Sequence, residues 1–239
     1  MLFVFFVTNP LRRVPRPIAR RATPAAEAVD ARPALPQSIA MPRQILLVRH
    51  SQSQANAEGR IEGKGDSPLS EAGREQARRV AAFIAANFVA PGQFGEATLI
   101  ASHLARARAT AAEIEALTGW TAAHDPRIRE GELGWMEEMS YVEVFRHMAE
   151  NKLTALDHDV HGGESLDTVA ERCWAALREV LAVTEGPLIA VTHGIAIHAL
   201  VERRFGHPLG LAQIGNGDVF ELWIEGDAVA APPRRHPLG

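Results

Sequence analysis

ILLVRH, residues 45–50, is a short apolar run that ends in a basic pair, Arg49 and His50. A second apolar run, Leu188–Thr192, is followed by His193 and Gly194. Runs of this length and composition are typical of strands that are buried on both faces of a parallel sheet. Because ligands of such sheets bind just beyond the carboxyl ends of the strands, we expect both histidines to face one crevice. An arginine beside two imidazoles suits a phosphate, which one imidazole can attack as a nucleophile.

Strand patterns alternate with helical patterns along the rest of the chain. Ser70 and Ser165 are suited to cap the beginnings of two helices, and Gly119 is suited to end a third. Beyond the first strand, we predict strands at Thr98–Ala101, Leu188–Thr192 and 219–224, and helices at 70–88, 105–117, 141–150, Leu166–Val183 and 195–205. This alternation predicts an α/β fold, a three-layer sandwich in which helices cover both faces of a mostly parallel sheet.

The chain divides into three parts by composition. Residues 42–230 show no internal repeat and no linker, so we expect one domain there, followed by a C-terminal tail at 231–239. Residues 1–41 are rich in proline, alanine and arginine, which favours a disordered or non-native extension with Met41 as the native start. A transit peptide is the alternative, because this segment is poor in acids. A secretory signal would carry its basic residues before the apolar ones, the reverse of the order found here.

Composition also limits the classes of partner that the protein is expected to bind. The 239 residues carry a formal net charge of −4, and no long basic block follows the first forty residues, which argues against nucleic-acid binding. The apolar residues 1–7 are too few to span a bilayer, so we expect no membrane association. Cys173, the single cysteine, excludes an internal disulfide and is expected to be a small buried residue within a helix. We expect a cytoplasmic protein, and leave open whether it forms a homo-oligomer.

Other ligand motifs are incomplete. GRIEGKG, residues 59–65, is one residue short of a phosphate-binding P-loop and lacks the serine or threonine that holds magnesium. No G-x-G-x-x-G follows a strand, and no G-x-S-x-G nucleophile motif occurs. His158 and His161 could belong to a metal site, but a solvated loop is the favoured interpretation because no further ligands can be assigned. We therefore expect no metal and no cofactor.

Six short motifs follow one another along the chain. They are LVRHSQSQAN (47–56), GDSPLS (65–70) with Gly73, SHLARARATA (102–111), Arg129-Glu130 with Gly134-Trp135, GGES (162–165) and VTHG (191–194). In this order they resemble the motifs of the histidine phosphatase superfamily, the phosphoglycerate-mutase-like proteins, over about residues 45–224. The resemblance implies a phosphoglycerate-mutase-like fold for the catalytic domain, 42–230.

The resemblance also implies roles for individual residues. His50 is implied as the nucleophile, and Arg49, Arg106 and His193 as the groups that bind the phosphate. Only the spacing of the family motif selects Arg106 over Arg108, because a surface ion pair would account equally well for an arginine at either position.

Further positions follow from the same motifs. Glu130 is implied as the proton donor, although Glu132, Glu137 and Glu138 crowd the same loop. Asn56 matches a phosphate-contacting position of the family, and Ser53 is a second candidate donor to substrate. Ser51 departs from the family, which has glycine beside the nucleophile, so the close backbone approach there is in question.

These residues predict a metal-independent reaction. A neutral imidazole nitrogen of His50 attacks phosphorus if its other nitrogen donates to a backbone carbonyl, and the resulting phosphohistidine is then hydrolysed by water. We expect His193 to be protonated, so that it adds charge to that of the arginines. We expect Glu130 to be ionised in the free enzyme and to gain a proton when phosphate cancels the surrounding positive field.

The segment between Glu130 and Gly162 bears on substrate choice. It is only about thirty residues long, shorter than the corresponding region of cofactor-dependent phosphoglycerate mutases, and residues 133–137 are more similar to the phosphatase branch. We therefore predict a phosphomonoesterase that acts on a small phosphorylated metabolite under a cap formed by helix 141–150. A mutase that needs a bisphosphorylated cofactor and a non-catalytic phospho-ligand binding protein are the alternatives.

Overall fold

A seven-stranded sheet forms the middle layer of the protein. The computed structural model describes residues 42–88, 97–137, 139–151 and 162–239. Within these residues the strands are β1 Arg43–Arg49, β2 Thr98–Ala101, β3 Ala123–His124, β4 Leu188–Thr192, β5 Val219–Glu225, β6 Ala228–Val229 and β7 Arg234–His236. Their order across the sheet is β3-β2-β4-β1-β5-β6, and β7 also pairs with β5.

The central part of the sheet is parallel. Strands β1, β2, β3 and β4 run in one direction, whereas β5 pairs antiparallel with β1, and β6 and β7 pair antiparallel with β5. In the pairing of β1 with β4, Arg49 lies opposite Thr192. The residues that follow, His50 and His193, therefore leave the sheet side by side at its carboxyl edge.

Helices cover both faces of this sheet. They are α1 Gln54–Ala57, α2 Glu71–Phe88, α3 Ala105–Thr118, α4 Tyr141–Asn151, α5 Leu166–Val183 and α6 Gly194–His198. Alternate residues of β1 face opposite ways: Leu46 and Val48 pack with α2 and α3, whereas Ile45 and Leu47 belong to the core that includes α4, α5 and α6. The two cores confirm the predicted three-layer α/β sandwich with a mostly parallel sheet and helices on both faces.

Local sequence signals account for three of the helix ends. Ser70 Oγ accepts a hydrogen bond from the Gly73 N–H, and Ser165 Oγ accepts one from the Thr168 N–H, so both serines cap helices as predicted. Gly119 ends α3 in the left-handed conformation, with φ at 76°.

The helix predicted at 195–205 differs in detail. Helix α6 begins one residue earlier, at Gly194, and continues as a π-helical segment, Ala199–Arg204. In this segment the Phe205 N–H donates to the Leu200 carbonyl, five residues back. The wider turn inserts one residue without interrupting the backbone hydrogen bonds.

The C-terminal residues join the sheet. The sequence predicts a tail at 231–239, but Arg234–His236 extends the sheet as β7, and Arg235 pairs with the buried Asp218 at 2.8 Å. The sheet thus continues past residue 230. The predicted extension at 1–41 and the loop with His158 and His161 lie outside the described residues. No helix within the described ranges is long and apolar enough to cross a membrane.

Gly73 fixes the packing of α2 against the loop after the nucleophile strand. A Cβ atom at this position would lie 1.9 Å from the Gln52 carbonyl oxygen. The same carbonyl accepts a hydrogen bond from the Ser70 N–H at 2.9 Å, so it cannot move away freely.

We predict that Gly73→Ala lowers the free energy of unfolding by about 1–3 kcal/mol, because the loop or the helix must shift to admit the methyl group. Urea denaturation measures the change. Gly210→Ala is the control, since its exposed backbone has φ at −70° and the added Cβ would meet only the Gln213 Oε1 atom at 3.5 Å. Equal stability losses in the two variants would contradict this account.

Candidate active site

His50 is held at the end of β1 by hydrogen bonds to its backbone and to both ring nitrogens. Its backbone N–H donates to the Thr192 carbonyl at 2.9 Å, and its Nδ1 lies 2.8 Å from the Ser51 carbonyl oxygen. Because a carbonyl only accepts, Nδ1 carries the proton. The Nε2 atom is then a lone-pair acceptor, and it receives a hydrogen bond from Arg106 Nε at 3.3 Å. This is the tautomer that nucleophilic attack through Nε2 requires.

His193 lies beside His50. The ring centroids are 5.1 Å apart, and both side chains are buried. Within the described part of the chain, neither ring nitrogen of His193 has a hydrogen-bond partner. A buried polar group without a partner is costly, so its presence beside a candidate nucleophile indicates a place for a ligand.

Arg106 comes from the first turn of α3. Its side chain is 1% exposed, donates to the carbonyls of Gly63 and Gly65, and forms an ion pair with Glu62 at 3.4 Å. Arg108 is exposed on the same helix. The structure therefore brings Arg106, and not Arg108, to the two imidazoles.

Arg49 supplies a second guanidinium group. Its Nη1 donates to the Ile214 carbonyl at 2.5 Å, whereas its buried Nε has no partner among the described residues. A Cβ atom at Gly194 would lie 3.4 Å from that Nε, which shows how closely the guanidinium lies against the residue after His193.

Glu130 reaches the same site from a loop. Its carboxylate oxygen Oε1 accepts hydrogen bonds from the backbone N–H groups of Gly131 and Ile195, each at 3.0 Å. Its side chain lines the cavity that also contains Arg49 and His50.

A partly buried ion pair holds the loop that carries Glu130. Arg172 of α5 donates to the carbonyls of Arg127, Arg129 and Glu130, and pairs with Glu164 at 2.8 Å. Such a loop has no strand partners of its own, so these bonds satisfy its backbone. A Cβ atom at Gly163 would lie 2.2 Å from the Glu132 carbonyl oxygen, which explains the glycine of the GGES motif.

The other two residues predicted to contact substrate, Asn56 and Ser53, form hydrogen bonds within the protein. Asn56 lines the cavity, and its Oδ1 accepts a hydrogen bond from Asn216 Nδ2 at 3.0 Å. The buried Ser53 caps α1, and its hydroxyl donates to Glu62 Oε2 at 2.9 Å. Their direct contact with substrate stays a prediction. Ser51, which replaces the glycine of the family motif, is buried and donates its N–H to Thr110 Oγ1 at 3.0 Å.

Two site residues were missed by the sequence analysis. Glu62 lines the cavity with a side chain that is 4% exposed, and it accepts hydrogen bonds from Ser53 and from Ser67. It lies in the GRIEGKG stretch, which we considered only as a P-loop. Asn216 donates to the His50 carbonyl at 3.2 Å and to Asn56 Oδ1 at 3.0 Å, and none of the six motifs includes it.

The electrostatics of His193 differ from the expectation. Burial lowers the pKa of His193 well below its usual value, and the nearby Arg106, His50 and Arg49 lower it further. The expected protonated His193 is therefore wrong for the free protein. Burial, with Arg106 and Arg49, likewise lowers the pKa of His50, which keeps the nucleophile neutral.

Burial also acts on Glu130, against the expected effect of the two arginines. Burial raises the pKa of Glu130, and this effect exceeds the opposing effects of Arg106, Arg49 and the two backbone N–H groups. Before any phosphate binds, burial thus shifts Glu130 toward its protonated form and the imidazole of His50 toward its neutral form.

A cavity of about 570 Å³ opens above these groups. Its floor is polar and includes Arg49, His50, Glu62 and Glu130. Within the ranges that the structure describes, no cluster of three or more His, Cys, Asp or Glu side chains is arranged to hold a metal ion. The prediction of a site without metal or cofactor stays a prediction.

Comparisons with known proteins agree with the motifs. The model of the family "Histidine phosphatase superfamily (branch 1)" matches residues 45–230. Probable phosphoglycerate mutase GpmB of Enterobacter sp. (strain 638) is 37% identical over 172 residues, which cover 69% of this chain and 76% of that protein. The GpmB protein of Photorhabdus laumondii is 36% identical over similar shares, 69% and 76%.

Solved structures show the same fold. A mycobacterial glucosyl-3-phosphoglycerate phosphatase in complex with inorganic phosphate is 25% identical, with a TM-score of 0.65, over 82% of this chain and 96% of that chain. A phosphoglycerate mutase from Bacillus anthracis is 18% identical, with a TM-score of 0.68, over 81% and 92%. Phosphatases and mutases therefore both occur among its structural neighbours.

Glu62 provides a test of the site's electrostatics. Its carboxylate faces Arg106 and so offsets part of the positive charge available to a phosphate. We predict that Glu62→Gln binds inorganic phosphate about fivefold more tightly, or roughly 1 kcal/mol, because it removes a negative charge and keeps the shape of the side chain.

Isothermal titration calorimetry with inorganic phosphate measures this change. Glu58→Gln is the matched control, since Glu58 is exposed and pairs with Arg60 on the surface. Unchanged or weaker phosphate affinity in Glu62→Gln would show that phosphate does not bind next to Arg106.

Proposed function

Because the chain belongs to the histidine phosphatase superfamily, we propose that it hydrolyses phosphomonoesters of small metabolites through a phosphohistidine formed on His50. One observation carries the proposal. The Nε2 lone pair of a neutral His50 is held 3.3 Å from Arg106 Nε, beside a buried His193 whose ring nitrogens have no partner among the described residues. A phosphoryl group placed there would meet a nucleophile and hydrogen-bond donors together.

The first half-reaction transfers the phosphoryl group to His50. The Nε2 atom forms a bond to phosphorus as the bond from phosphorus to the ester oxygen breaks. Arg49 and Arg106 donate hydrogen bonds to the equatorial oxygens, because one guanidinium group can donate two parallel N–H bonds to phosphate oxygens. Glu130 gives its proton to the departing oxygen, so that an alcohol leaves in place of an alkoxide.

The second half-reaction restores the enzyme. Glu130, now a carboxylate, takes a proton from water as the water oxygen attacks phosphorus and the phosphorus–nitrogen bond breaks. Inorganic phosphate leaves, and His50 is again neutral. The Ser51 carbonyl holds the Nδ1 proton throughout, and it stabilises the positive charge that the ring carries while phosphorylated.

A mutase is the second candidate, since relatives that are 36–37% identical carry the name probable phosphoglycerate mutase. It would return the phosphoryl group to a substrate oxygen faster than water accepts it, and it would need a bisphosphorylated cofactor. Isomerisation of a phosphoglycerate without release of phosphate would identify it. A protein that binds phospho-ligands without turnover is the third possibility, and the presence of the Glu130 carboxyl group in the same cavity as His50 argues against it, because mere binding does not need an acid.

The assigned nucleophile has a direct test. We predict that His50→Ala lowers the rate of phosphate release by about a thousandfold or more, because the variant lacks the imidazole that forms the bond to phosphorus. His103→Ala, at an exposed position after β2, is the control.

A chelator leaves the wild-type rate unchanged if arginines supply the charge stabilisation. Rapid-quench experiments with labelled substrate should find an acid-labile adduct on His50, and their failure to find one would refute the mechanism.

The assigned acid has a test based on the leaving group. We predict that Glu130→Gln slows hydrolysis of an alkyl phosphate by about 10²–10⁴-fold and that of p-nitrophenyl phosphate far less, because nitrophenolate leaves without a proton. The amide keeps an oxygen for the N–H groups of Gly131 and Ile195. In the wild type, activity on the alkyl ester should fall as pH rises through the pKa of Glu130, and the variant should lack this decline. Equal losses for both esters would remove Glu130 from this role.

A further inference from the structure

The cavity above His50 has two chemically different parts. Arg49, Glu130 and the imidazole of His50 lie at its polar floor, where the phosphoryl group would bind. The walls above them are carbon-rich. They are contributed by the turn before α4, by α4 itself and by the loop before β5, through Leu133, Met136, Val144, Met148, Leu211 and Ile214.

Helix α4 turns Val144 and Met148 to the cavity and its charged residues to solvent. Val144 is 3% exposed and Met148 is 7% exposed, and both line the cavity. Glu143, Arg146 and Glu150 of the same helix are exposed. This amphipathic pattern places carbon atoms opposite the position where the leaving group of a bound ester would project.

The charges of the site are concentrated at the phosphoryl end. Among the described residues that line the cavity, Arg49 is the cation, and the buried Arg106 donates to His50 below it. Neither guanidinium belongs to the walls. Against the described residues of the walls, a carboxylate or second phosphate on the leaving group would therefore lose its water to carbon atoms without gaining a positive partner, which is costly.

We propose that the preferred substrates are phosphomonoesters with an uncharged, apolar leaving group, such as a medium-length alkyl or arylalkyl alcohol, in preference to phosphoglycerates. This proposal rests on the proposed phosphatase function. The volume of about 570 Å³ lies within the range of pockets that bind small molecules, and Tyr141, 41% exposed, adds an aromatic side chain to the lining. The leaving group gains binding energy from burial, and this gain reaches the transition state as well as the ground state.

A homologous series of esters tests the proposal on the wild-type protein. In linear alkyl phosphates, kcat/KM should rise about fourfold for each methylene group that becomes buried, until the cavity is filled. 3-Phenylpropyl phosphate should exceed 3-phosphoglycerate by about tenfold or more in kcat/KM. A flat alkyl series, or a phosphoglycerate that is used equally well or better, would overturn the proposal and leave the phosphatase function standing.

Variants on α4 supply a second readout. Met148→Lys places a cation in the wall, so it should lower kcat/KM for 3-phenylpropyl phosphate and raise it for 3-phosphoglycerate. Val142→Lys adds the same charge to the same helix at a position that is 67% exposed, and it should change neither value. Met148→Gln, which adds polarity without charge, should lower kcat/KM for 3-phenylpropyl phosphate and leave kcat/KM for 3-phosphoglycerate unchanged. Thermal denaturation identifies any variant that fails to fold, and the wild-type series does not depend on them.

Binding measurements separate this proposal from the proposed function. Non-hydrolysable phosphonates that match 3-phenylpropyl phosphate and 3-phosphoglycerate are titrated into the wild type by calorimetry. Tighter binding of the phenylpropyl compound supports the proposal, and equal or weaker binding overturns it, whether or not the esters turn over. If the phosphonates bind but no ester is hydrolysed, the proposed function fails and the selectivity is still decided.

Discussion

The parallel pairing of β1 with β4 is the constraint from which the site follows. Arg49 lies opposite Thr192, and the His50 N–H donates to the Thr192 carbonyl, so the next residue of each strand leaves the sheet at the same level. The pairing of these two strands thus places the two imidazoles with their ring centroids 5.1 Å apart. A shift of one residue in this register would turn every side chain of β1 to the opposite face and separate the two rings.

Burial, more than charge, sets the protonation states of the site. Burial and the two arginines act together on the imidazoles and keep both neutral. On Glu130 they act in opposite directions, and burial prevails. The two shifts favour a protonated Glu130 and a neutral His50, because the two groups lie in differently shifting environments. An incoming phosphate dianion reverses the field at His193, so that imidazole can gain a proton when the ligand binds.

Much of this architecture could be predicted from local patterns. Apolar runs predicted the central strands, serine caps and Gly119 predicted helix ends, and six ordered motifs predicted which side chains meet. Glu62 could not be found in this way, because its approach to Arg106 depends on how the loop 59–65 folds over α3. The expected charge of His193 was wrong for a related reason: the sequence identifies neighbouring charges, but the depth of burial, which decides the pKa, exists only after the layers pack. The role of 234–236 as a strand depends likewise on pairing with a distant β5.

The site draws on all three layers at once. The imidazoles come from the edge of the sheet, Arg106 comes from a helix on one face, and Arg172 anchors the loop of Glu130 from a helix on the other. The reacting groups are therefore all held in place only when both helical layers pack on the sheet. A partly folded chain that has docked only one helical layer would therefore be inactive, and recovered turnover during refolding would report the final assembly step and not the collapse that precedes it.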